Sequence, residues 1–193
     1  MNNMRVNKRW NQKSRPRSIA QMSNVIAAAI WKLAAQVVLN LENENFETTT
    51  QGQRLDVMDE LVIFLVHMAD RYTFEHTNTD NRGQFVSVLV KDLARMLEES
   101  RNDVDHIGDH RIVFIDKTNL RTAEYGEYRF SLEAGASFAM RCLLGKHVME
   151  MMGARDNKWI PDYIIGREAP AMEATLRQTL AGLVGFEDQN RSS

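Results

Sequence analysis

Apolar residues recur in steps of three and four over most of this chain, the period of a helix that buries one face. Ile19, Met22, Ile26, Ile30, Leu33, Val37 and Leu41 trace the first stripe, flanked by alanines that allow close helix approach. Ser18, just after Pro16, suits the N-cap position. A helix is therefore expected from about 19 to 45. A polar break at 48–52 leads to a second helix over 54–75. Its centre, Leu61-Val-Ile-Phe-Leu-Val66, is apolar on every side. Such a helix lies at the middle of a bundle or in a subunit interface.

The third helix is expected over 84–101. Phe85, Val88, Leu89, Leu93, Met96 and Leu97 form its inner stripe, opposite Lys91, Asp92, Arg95, Glu98 and Glu99. A fourth is expected over 131–152, with Gly153 as its stop. A last helix spans 171–184. Between 102 and 128 the period lapses. Arg111–Asp116 reads as a short strand and Ala123–Tyr128 as its return, or the stretch is a loop across the bundle. The fold expected is mainly all-α, a bundle of five or six helices with room for a small β-hairpin near 111–130. The division expected is a basic flexible arm at 1–18, one helical domain at 19–186 and a disordered tail at 187–193.

Composition agrees with this pattern. Three prolines and ten glycines in 193 residues are too few for many short strands. The length suits one domain with a sizeable core. The single cysteine, Cys142, excludes an intrachain disulfide and a four-thiolate metal site. A lone thiol in an apolar helix points to a reducing compartment, hence a cytoplasmic location. Residues 25–41 are mostly apolar, but they are too short and too polar to predict a transmembrane segment.

The net charge of −2 hides an uneven distribution. No acidic residue precedes Glu42, and Arg5, Lys8, Arg9, Lys13, Arg15 and Arg17 crowd the start. An arm of this kind suits a nucleic acid or another anionic partner. A recognition helix for base edges needs polar and basic side chains, which Leu61–Val66 cannot supply.

The catalytic motifs sought in the sequence are missing. There is no phosphate-binding glycine loop, no dinucleotide fingerprint and no nucleophile elbow. No cofactor is predicted, and a divalent metal is the one candidate. Asp56, Glu60, His67 and Asp70 lie near one stripe of the second helix, and His147 and Glu150 offer a His-x-x-Glu pair on the fourth. Carboxylate–histidine metal sites in bundles use inward-facing side chains of these types. The candidate metal set is therefore Glu60, His67, Asp70, His147 and Glu150. A looser cluster, Asp103, Asp105, His106, Asp109 and His110, reads most simply as a polar loop.

The functional expectation is a non-catalytic binding or accessory protein. It self-associates, as a homodimer, because the second helix carries more apolar surface than one side of a small bundle covers. It engages a protein or other macromolecular partner. The alternatives are a metal-binding bundle or metalloenzyme with a carboxylate–histidine site, and a nucleic-acid-binding regulator that uses the arm.

Overall fold

The computed structural model describes residues 18–46, 48–74, 78–104, 107–153 and 158–184. The basic arm, apart from Ser18, and the C-terminal tail lie outside these residues. The fold is an all-α bundle with one small hairpin. Its helices are α1 (Ile19–Asn43), α2 (Gln51–Thr73), α3 (Thr79–Val104), α4 (His110–Gly126) and α5 (Phe138–Met152). A final run joins α6 (Ile160–Tyr163), a π-helical turn (Ile164–Glu168) and α7 (Ala169–Val184) into one continuous rod.

Local chemistry sets the ends. The Ser18 hydroxyl accepts from the Gln21 amide, while the Gln21 side chain accepts from the Ser18 amide, a complete capping box. Thr50 caps α2 through the Gln53 amide and Ser137 caps α5 through the Met140 amide. Gly153, at φ 82°, ends α5 as its sequence position suggested.

Helix α2 occupies the centre, and α1, α3, α4, α5 and α7 all pack on it. Every residue from Val57 to Ala69 is buried. The apolar hexapeptide is thus enclosed by the chain's own helices. The apolar excess that argued for a dimer does not reach the surface of α2. Helix α1 has the length and hydropathy to cross a membrane by those measures alone, yet Ile26, Ile30, Ala34, Val37 and Leu41 lie in the bundle core.

The stretch 111–126 is helical throughout, not a pair of strands. The reason is a stripe that aliphatic clustering obscured. Phe114, Lys117, Thr118, Arg121 and Tyr125 recur at helical spacing, and two of the five are cations. The hairpin lies just beyond, with β1 (Phe130–Ser131) antiparallel to β2 (Gly135–Ala136). It shortens the helix expected from 131, which starts at Phe138 instead.

Gly135, at φ 73°, is fixed by its neighbourhood, because a Cβ there would land on the Glu173 carboxylate. That buried carboxylate accepts from the Ala136 amide at 2.7 Å and the Tyr72 hydroxyl at 2.9 Å. One α7 side chain thereby ties the hairpin to α2. In the π-helical turn, the buried Glu168 carboxylate accepts from the Asn40 side chain at 3.0 Å, joining α1 to the last rod.

Candidate functional site

The polar residues of α2 that face α4 form a buried ionic cluster. Glu60 is fully enclosed, at 0% exposure. From α4, Lys117 Nζ approaches Glu60 Oε1 to 3.0 Å, and Arg121 donates Nε to Oε2 at 3.1 Å and Nη2 to Oε1 at 3.2 Å. Arg121 Nη1 also donates to Glu124 at 3.0 Å. One residue earlier on α2, buried Asp59 accepts from Arg101 of α3 at 2.7 Å, and Lys117 lies 3.8 Å away. Burial pushes the Asp59 carboxyl upward, against the pull of Arg101 and Lys117.

His147 of α5 completes the cluster. Its Nδ1 lies 3.7 Å from Glu60 Oε2 and 3.3 Å from the Tyr125 hydroxyl, and its Nε2 lies 3.3 Å from Glu124. Desolvation holds the His147 pKa below the usual imidazole value, with Glu60 and Glu124 pulling the other way. Tyr125 is itself enclosed, and burial raises its phenol well above the ordinary range. His67 sits beside the Tyr125 ring, 5.6 Å between centroids. Neither His67 ring nitrogen has a hydrogen-bond partner among the described residues. Burial, reinforced by Arg71, brings its pKa down to about 4.

The structure therefore brings Glu60 and His147 together and sets His67 on the neighbouring side of Tyr125. Asp70 is elsewhere, accepting from Arg82 of α3 through both oxygens at 2.6 Å. Glu150 is on the surface, 3.7 Å from Lys146. Each of these three carboxylates thus has a protein cation beside it. Among the described residues no three His, Cys, Asp or Glu side chains are grouped to hold a metal ion. Asp105 and His106 of the looser cluster lie outside the described residues. The cluster around Glu60 is suited to docking α4 on α2: charge neutralises charge, and the imidazole and phenol fill the remaining space.

Its consequence is on the other side of α4. Turning Lys117 and Arg121 inward leaves apolar residues outward. Ile112 is 59% exposed, Val113 65% and Leu120 59%. Beside them runs an open groove of about 520 Å³ between α3 and α4. Val86, Val90 and Ile115 supply its apolar walls, Lys91 and Asn119 its polar rim, and the Asp70–Arg82 pair closes one end. This surface was not visible in the sequence while 111–116 read as a strand. The signal that marks it is the cation pair Lys117 and Arg121, in step with Phe114 and Tyr125.

No family model, curated protein or solved structure matches this chain.

Proposed function

We propose that this is a non-catalytic interaction protein whose contact surface is the outer face of α4 together with the α3/α4 groove. The observation that supports this reading is the inverted polarity of α4. A monomeric helix that keeps cations inside and three large aliphatic side chains outside forgoes the usual benefit of burying apolar surface, about 25 cal/mol per Å². A macromolecular partner that covers Ile112, Val113 and Leu120 restores it. Contiguous exposed apolar surface rimmed by polar groups marks such contacts. The Glu60 cluster holds α4 against α2, since the buried Glu60 carboxylate is matched by Lys117 and Arg121.

A photoreactive residue placed at Val113 or Leu120, activated in living cells, tests the reading. A discrete adduct is expected from both positions and none from Lys32, on the exposed side of α1. Equal labelling at all three, or labelling at none, overturns it.

A further inference from the structure

We infer that the partner of this surface is a second copy of the same chain, with each α4 lying over the other's α3/α4 groove. This rests on the reading of α4 as a contact surface and adds the identity of what it contacts. The face is self-complementary in shape: it presents a ridge beside a groove. Val113, Asp116 and Leu120 follow one another at steps of three and four on the exposed side of α4, so they form one ridge. The neighbouring groove is open, with Val86 and Val90 half-buried along it. Gly83 adds no bulk at its rim and has open space where a Cβ would stand. Two copies related by a two-fold axis parallel to these helices each place a ridge over the other's groove. The result is a four-helix interface built from α3, α4 and their copies.

The charges are complementary as well. Asp116 is the one acidic residue within the Val113–Leu120 ridge, and Lys91 is the exposed cation on the groove wall. Neither pairs with another charge among the described residues. In the two-fold arrangement the Asp116 carboxylate of each copy reaches the Lys91 ammonium of the other. A direct face-to-face stacking of the two α4 helices would instead oppose Asp116 to itself. Charge therefore selects the staggered register. A hydrophobic ridge with a single reciprocal ion pair is the chemistry of a homodimer, since one surface carries both halves of the match.

Sedimentation across a wide concentration range, on the full chain, is the test. The wild type is expected to dimerise. Val113→Glu with Leu120→Glu abolishes the dimer, while circular dichroism stays native because both positions are exposed. Asp116→Lys alone, or Lys91→Asp alone, weakens association at least about tenfold, as like-charge juxtaposition costs affinity. The double variant Asp116→Lys with Lys91→Asp restores it. Leu39→Glu, on the separate groove between α1, α2 and α3, changes nothing. A dimer that ignores the ridge variants, or single swaps that the double swap does not rescue, overturns this pairing. Adducts at Val113 and Leu120 in cells that contain a different protein, with a monomer in sedimentation, overturn it too and leave the reading of α4 as a contact surface standing. Absence of both dimer and adduct removes the two together.

Discussion

Helices α2 and α4 invert each other. Helix α2 is apolar around its whole circumference at residue 64, and every side of it is covered. Helix α4 brings cations as well as aromatic rings to α2, and leaves Ile112, Val113 and Leu120 uncovered by the described residues. The difference shows that burial follows the neighbour as much as the side chain. Glu60 is a carboxylate on the most buried helix, so the helix opposite must bring cations to it. Once Lys117 and Arg121 turn inward, helical geometry places residues 112, 113, 116 and 120 outward. A charge in the core of one element has thus determined the surface of another.

The sharpest way to break this comparison is at the contact itself. Phe64→Ala empties a fully buried ring position on α2 and is expected to lower unfolding free energy by about 3–5 kcal/mol in chemical denaturation. Glu60→Ala is expected to cost a similar ~3–5 kcal/mol, for a different reason: it leaves the largely buried Lys117 and Arg121 without the carboxylate between them. The two causes separate in a triple variant. Glu60→Leu with Lys117→Met and Arg121→Met replaces the ionic contact by an apolar one and is expected to recover most of that loss. If the triple variant is as unstable as Glu60→Ala, the cluster stabilises through something other than matched charge.

Acid sharpens the comparison next. The His67 pKa falls from 6.5 to about 4 in the folded chain, and burial is the main cause. The unfolded chain therefore binds this proton first as pH drops. Stability from neutral His67 is complete above the ordinary imidazole value and is lost through the window down to about 4. A shift of that size corresponds to about 3 kcal/mol at the bottom of the window. His147, shifted in the same direction, adds to the slope. His67→Leu is expected to flatten the pH dependence of denaturation midpoints between about pH 6.5 and about pH 4. At neutral pH it is not expected to destabilise, since neither ring nitrogen has a partner to lose among the described residues. An unchanged acid slope in His67→Leu would move the effect to His147 or to the carboxylates.

These two regions were unequally legible in the sequence. The α2 reading was direct, because six consecutive apolar residues bounded by helix formers leave few alternatives, and α1 and α3 announced themselves by clean stripes. The inner face of α4 was hidden because its period is carried by Phe114, Lys117, Thr118, Arg121 and Tyr125. A hydrophobicity pattern counts two of those as surface. The apolar cluster Ile112–Ile115 has the pattern of a buried strand, whereas only Phe114 of the four is buried. Of the candidate metal residues, Glu60, His67 and His147 are buried, whereas Asp70 is turned to Arg82 and Glu150 is on the surface. Which of them met depended on cations of α3 and α4 that no spacing along α2 could reveal. Arg82 draws Asp70 to one side, while Lys117 and Arg121 take Glu60.

The smallest expected effect is the most diagnostic. Val113→Ser and Leu120→Ser remove aliphatic bulk from α4, as Phe64→Ala does from α2, yet each is expected to change monomer stability by no more than about 0.5 kcal/mol. Both side chains are already in water, so truncation leaves no cavity and exposes no new core. Measured by denaturation at concentrations too low for association, the α4 variants should unfold with the wild type. Measured at high concentration, the wild type alone should gain stability, because binding to the folded form raises its apparent unfolding free energy by mass action. A concentration-dependent midpoint in the wild type that disappears in Leu120→Ser would separate the two roles of aliphatic side chains in this molecule: those of α2 hold one chain together, and those of α4 act only between molecules. A large loss in the dilute monomer would show instead that α4 packs inward along its outer stripe, and the inversion between the two helices would be lost.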